Sequence, residues 1–266
     1  MRLGAVSYLN TKPLVQGLAE LLPTDELVFD LPSRLADGLA SGAYDIALIP
    51  SIEFFQNPAY SIVSDACIGC RGPVLSVKLL CRRPLSEIKT LALDEGSRTS
   101  AALVRILLAE RYGVRPQLEP LPINARYEDS PADAILLIGD RAIHPTSGAF
   151  VEEWDLGDVW NRWAELPFVF AMWVARPGLD PAQLATAATA LETARELGLA
   201  SLPAIAAAEG PRVGLSAADA HGYLRDNLYF YLGRRELAGL ELFRQHAVRL
   251  GLVPDFGPVV PATAAG

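Results

Sequence analysis

Gly4-Ala5-Val6-Ser7-Tyr8-Leu9-Asn10-Thr11-Lys12-Pro13-Leu14 is the stretch whose reading decides the fold. The residues leading into it, Leu3 to Val6, are apolar and β-prone. A polar cluster follows, and Pro13 then opens a helical pattern through Leu14, Leu18, Leu21 and Leu22. Proline suits the first turn of a helix, where its missing N–H would have had no partner. The order predicted is strand, polar turn, helix. In an open α/β sheet such a turn lies at the carboxyl end of the strand, where ligands bind. Asn10 and Thr11 are good N-cap residues, and the N–H groups behind them could face an anion. Simple capping is the plainer reading of the same two residues.

The chain has 266 residues, half of them hydrophobic, enough for one large domain or two modest ones with real cores. Its net charge of −8 argues against non-specific nucleic-acid binding and against a polybasic membrane surface. Local arginines and helix amino termini can still hold a small anion in an acidic protein. Met1-Arg2 runs directly into a strand pattern with no signal-peptide layout. No apolar run reaches the roughly 18 residues of a membrane span. A soluble, cytoplasmic protein is expected. Cys67-x-x-Cys70 invites a zinc or redox reading, but the only other cysteine is Cys81, and His144, His221 and His246 stand singly. A closed zinc site needs four ligands, so buried reduced thiols are expected and no metal.

Farther along, Glu26 to Asp30 reads as a short strand, and Ser33 as the cap of a helix closed near Gly42. Tyr44 to Ser51 is an apolar strand ending in a proline and a hydroxyl, a pattern similar to solute-binding proteins, whose strand ends face a cleft. Cys70 to Arg83 contains a long strand begun by Gly72-Pro73 and closed by Pro84. Thr90 to Leu93 is a strand, Asp94-Glu95-Gly96-Ser97-Arg98-Thr99-Ser100 a polar turn, and Ala101 to Arg111 a helix stopped by Gly113. That repeats the logic of the amino terminus. Ala134 to Ile138 is a continuous apolar strand, as expected when helices cover both faces, and it ends in Gly139-Asp140. The strands at 74–82 and 168–176 read as two crossings between lobes. The rest is helical, and Val253 to Gly266 reads as a frayed tail. The expected division is a discontinuous first lobe, residues 1–84 plus 168–266, and a second lobe, residues 85–167.

Four places could carry chemistry. The first is the opening turn. The second is Ser97-Arg98-Thr99-Ser100, where three hydroxyls, an arginine and a helix amino terminus converge on a place suited to a carboxylate. It is neither a Walker loop nor a dinucleotide turn. Arg98 could hold a carboxylate bidentately or point outward as a surface side chain. The third is Ser76, a serine inside an apolar strand, which needs either a nearby backbone partner or a place in the cleft. The fourth is Gly139-Asp140. Its acid could be a base, a ligand to a substrate hydroxyl or, more simply, a helix cap. Asp45 reads as a structural acid. No nucleophile elbow is present, and His144 reads as a loop residue.

Val6 to Leu14, Gly72 to Ser76 and Ser97 to Ala101 resemble the chorismate dehydratases of the futalosine route to menaquinone. Ile138-Gly139-Asp140 and Leu166 to Ala171 also fit. The sister family that makes dihydroxynaphthoate has a Ser-Pro-Cys-Pro-Asn-Asp-Thr-like first turn, which this chain lacks. The resemblance implies an α/β, two-lobed, periplasmic-binding-protein type II-like fold with its ligand cleft between the lobes. It implies loss of water from chorismate to give 3-[(1-carboxyvinyl)oxy]benzoate, with no cofactor. It implies Asn10 and Ser76 as the catalytic pair. The residues expected to bind substrate are Ser7, Tyr8, Thr11, Ser51, Ser97, Arg98, Thr99, Ser100, Gly139 and Asp140. The competing expectation is a non-catalytic cytoplasmic protein that binds a small carboxylate.

Overall fold

The computed structural model describes residues 1–259. Its strands are β1 (Arg2–Val6), β2 (Glu26–Asp30), β3 (Ile46–Pro50), β4 (Ser61–Cys70), β5 (Val77–Cys81), β6 (Thr90–Asp94), β7 (Gln117–Leu121), β8 (Ala134–Ile138), β9 (Glu152–Asp155), β10 (Phe168–Ala175) and β11 (Tyr229–Tyr231). They form two sheets, ordered β11-β4-β10-β3-β1-β2 and β7-β6-β8-β5-β9. In the first, β1 runs parallel to both β2 and β3. In the second, β6 runs parallel to both β7 and β8. Each parallel trio is followed by one antiparallel strand, β10 beside β3 and β5 beside β8. The two lobes therefore share one plan, and Ala134–Ile138 takes the place in the second that Ile46–Pro50 takes in the first.

Composition explains the positions. Every residue of β3, β8 and β10 is buried, as continuous apolar strands must be when helices cover both faces. The edge strands β2 and β7 carry exposed and partly exposed residues. Helix Thr99–Tyr112 buries Leu103, Val104, Ile106 and Leu107, and ends at Gly113, whose φ of 67° suits a left-handed cap. Asp45 is structural: its carboxylate accepts the Arg2 amide at 2.8 Å and an Arg176 N–H at 2.6 Å, tying the start of β1 to the end of β10. No helix of the described residues is long and apolar enough to cross a membrane.

Three expectations change. Val77–Cys81 pairs with β8 and β9, so it belongs to the second sheet and not to the first lobe. The first crossing is the short segment between Cys70 and Val77, because a strand that leaves one lobe is taken up at once by the other. The opening turn does not cap an α-helix: Leu9–Val15 is a 3₁₀ helix with Pro13 inside it, ended before Gly17 at φ 71°, and Asn10 and Thr11 lie within it. The tail is held as far as it is described. Val253 is buried, Arg244 bonds Asp255 at 2.7 Å, and the Val259 amide donates to Glu241. Residues 260–266 of that expectation lie outside the described residues.

The two crossings are bent and pinned. The Asp155 carboxylate accepts the amides of Val74 and Leu75 at 3.0 and 2.7 Å. It also accepts the Asp158 amide at 3.1 Å, capping helix Leu156–Ala164. The second crossing is held by Trp160, whose indole N–H donates to the Pro167 carbonyl at 3.2 Å, and by Asn161, which donates to the Leu166 carbonyl. Leu75 at φ 58° and Glu165 at φ 55°, one in each crossing, are the non-glycine residues with left-handed backbone among those described. Asp155→Ala removes one cap and two loop bonds at once. A loss of about 3 kcal/mol in unfolding free energy is expected by chemical denaturation.

Candidate functional site in the cleft between the lobes

The carboxyl ends of β1, β6 and β8 converge with the first crossing on one cleft, whose volume with its open mouth is about 510 Å³. Tyr8 and Asn10 line it from the first lobe, Ser76 from the crossing, and Ser97, Arg98, Thr99, Ser100 and Gly139 from the second lobe. Val6, Ile68, Val74, Ile138 and Phe170 supply apolar walls. Segments far apart in sequence thus meet as expected of strand ends in paired α/β sheets.

Asn10 is 8% exposed and faces the cleft from within the 3₁₀ helix. The Thr11 hydroxyl donates to its Oδ1 at 3.4 Å. Ser76 is buried at the head of β5. Its amide donates to the Val74 carbonyl at 2.7 Å and its hydroxyl to the same oxygen at 3.4 Å. The hydroxyl therefore has a local backbone partner and also faces the cleft. Behind both stands Tyr223. Burial raises its phenol pKa, and hydrogen bonding to Ser76 and Asn10 works the other way. Tyr223 begins a π-helical turn, Tyr223–Asn227, whose Asn227 side chain donates to the Pro73 carbonyl at 3.0 Å. No local pattern in the sequence marks this residue.

The second-lobe turn is a working helix start. Ser97 Oγ accepts the Ala101 amide at 3.2 Å, and the first residues of the helix border the cleft. First-turn N–H groups have no intrahelical partner, so a carboxylate there meets donors and the positive end of the helix. Arg98 borders the cleft, but its guanidinium spans to the first lobe, pairing with Asp37 at 2.7 Å and Glu53 at 3.2 Å. Burial raises the Glu53 carboxyl, and Arg98 opposes that rise. Of the two readings of Arg98, bidentate carboxylate partner or outward surface side chain, neither describes its place: it borders the cleft and pairs across the lobes.

Four further residues expected to bind substrate are not among those lining the cleft. Ser7 is exposed and does not line the cleft. Thr11 is wholly buried behind Asn10 and acts on it through the bond just described. Ser51 is fully buried, donates to the Val169 carbonyl at 2.7 Å and lies 3.4 Å from the Thr99 hydroxyl, joining the lobes. Asp140 caps a helix, but across the lobes: its Oδ1 accepts the Leu9 amide at 2.9 Å, the first N–H of the 3₁₀ helix. Burial raises its pKa, and the Leu9 bond works against that.

Tyr8 reaches from the first lobe into the second. Gly139, at φ 64°, lies flat against its ring, and a Cβ there would come within 2.7 Å of three ring carbons. The cysteines are free thiols packed in the core, Cys67 and Cys70 on β4 and Cys81 on β5. Burial pushes the Cys70 and Cys81 thiols up to about 12. Of the aromatic run, Trp160 is core, Trp154 and Trp163 are half-buried, and none borders the cleft.

The paired-sheet architecture and its cleft define a periplasmic-binding-protein-like fold. The periplasmic aliphatic sulphonate binding protein of Escherichia coli matches with a TM-score of 0.59 at 14% identity, over 97% of this chain and 92% of that one. A Candida albicans protein described as having the generic periplasmic binding protein fold matches at 0.62 and 12%, over 97% and 92%. A protein of Archaeoglobus fulgidus matches at 0.75 and 16%, over 95% and 98%. Residues 1–249 match the family model described as menaquinone biosynthesis, and the chain belongs to that family. Chorismate dehydratase of Thermus thermophilus is 31% identical over 277 residues, covering 96% of this chain and 98% of the relative. Gly139→Ala adds a methyl to both a left-handed backbone and the Tyr8 ring, and a loss of about 2–4 kcal/mol is expected in a denaturation curve.

Proposed function

We propose that this protein is a hydro-lyase that removes water from chorismate to give 3-[(1-carboxyvinyl)oxy]benzoate. The observation that carries the reading is the meeting of Asn10, Ser76 and the Ser97–Ser100 turn on one cavity, in a chain 31% identical to a chorismate dehydratase. The chemistry fits the groups present. The ring C3 proton is vinylogous to the ring carboxylate, so its loss is electronically stabilised. The C3–H bond breaks, the C4–O bond breaks, the proton and hydroxide leave as water, and the ring becomes aromatic with no change of redox state.

The cavity supplies orientation, anion binding and exclusion of water. A carboxylate lies at the start of helix Thr99–Tyr112, held by Ser97, Thr99 and Ser100 and by first-turn N–H groups. Ser76 holds a substrate oxygen. Asn10 orients the substrate through its amide. An amide is a poor base, so the substrate's own enolpyruvyl carboxylate takes the C3 proton. The apolar walls face the ring.

Purified protein mixed with chorismate alone is expected to yield a product lighter by one water, with a benzoate-type ultraviolet spectrum. Unchanged chorismate held tightly would instead identify a binding protein, and neither binding nor turnover would remove chorismate as the ligand. Asn10→Ala is expected to lower kcat at least about 100-fold while leaving the melting curve in place. Near-normal turnover in that variant would refute its role.

A further inference from the structure

The Tyr8 hydroxyl is buried without a hydrogen-bond partner among the described residues, and so is Oδ2 of Asp94. The two belong to different lobes, and the Tyr8 hydroxyl and the Asp94 carboxylate both border Gly96. A Cβ on Gly96 would lie 2.9 Å from the Tyr8 hydroxyl and 3.4 Å from Asp94 Oδ1. Asp94 ends β6 and is 1% exposed, and its Oδ1 accepts the Gly96 amide at 3.0 Å. Its Oδ2 has Arg141 at 3.5 Å, but that guanidinium already donates to the carbonyls of Ile123 and Ala125 at 3.3 and 3.1 Å. One atom is a phenol donor and the other a carboxyl acceptor, so each is what the other lacks. Burial raises the pKa of both groups, and the charge of Asp94 raises that of Tyr8 further.

We propose that Asp94 is a positioning residue for the dehydration, taking the Tyr8 hydroxyl as its partner, directly or through one water, when a ligand fills the cleft. The reason it bears on the reaction is the short peptide Tyr8-Leu9-Asn10. Its ring end rests on Gly139, and its middle amide is held by Asp140. Fixing the hydroxyl fixes the third point, and with it the side chain of Asn10 relative to the Ser97–Ser100 turn. Gly96 must lack a side chain for the two groups to meet. This rests on the dehydratase reading above.

The test is a pair of double-mutant cycles on steady-state turnover of chorismate. Tyr8→Phe keeps the ring and removes the hydroxyl, and it is expected to lower kcat about 10-fold with KM changed less than about 3-fold. Asp94→Ala is expected to lower kcat in the parent and to cost markedly less when Tyr8→Phe is already present. Gly96→Ala drives a methyl between the two groups. It provides the second cycle should the Asp94 variant fail to fold, and its defect is expected to be relieved by Tyr8→Phe. Equal costs in both backgrounds, or parental kcat in Tyr8→Phe, would overturn the inference while parental turnover leaves the dehydratase reading in place. Absence of turnover in the parent would overturn that reading instead.

Discussion

The Asp155 carboxylate holds the architecture together. A two-lobed chain must pass between its lobes twice, and each passage threatens to leave backbone groups unpaired near a cleft. Here one acid serves both passages. It takes two amides from the outward crossing and caps the helix that leads into the return. Burial disfavours its charge, and the backbone N–H groups around it counter that. The outward crossing can therefore be short, which lets β5 lie beside β8 at once and brings Ser76 to the cleft wall in a fixed pose.

The cleft is a seam of interlobe bonds as much as a cavity. Arg98 reaches Asp37 and Glu53, Thr99 reaches Ser51 and Ile52, and Asp140 reaches Leu9. The Arg98–Asp37 pair, whose acid is mostly exposed, contributes little, about 0–1 kcal/mol. The effect of these bonds is to set the registration of one lobe on the other. Polar residues that a sequence offers as ligand contacts divide, in the folded chain, between those that face the cleft and those that hold the lobes together around it.

That division explains how far the sequence can be read. The buried strands at 46–50 and 134–138 declare a doubly covered sheet by their unbroken apolar character, and the strand-turn-helix order marks the turns at Asn10 and Ser97. Whether Ser51 or Thr11 points into the cleft or away is a matter of register across lobes, which no local pattern encodes. Arg98 is undecidable locally for the same reason, since its partners lie 45 and more residues earlier. The lobe boundary falls at 71–76 and not at Pro84, because Pro84 ends a strand convincingly while the true passage looks like the start of that same strand. Asp94 is legible as an acid closing a buried strand. Tyr223 is not, because what makes it notable is its nearness to residues 76 and 10.

The antiparallel strand in each sheet carries a consequence for how the molecule comes into being. The second sheet is built from an unbroken run, β5 to β9, and has all its strands once Asp155 exists. The first sheet has β1 to β4 early, yet its centre stays open between β3 and β4 until β10 arrives, and its edge until β11. On a chain emerging from the ribosome, the second lobe can close while the first still exposes the apolar borders of a gap. The strand that fills that gap, Phe168–Ala175, is buried at every residue, so the first lobe is the part whose assembly waits longest and has the most to hide.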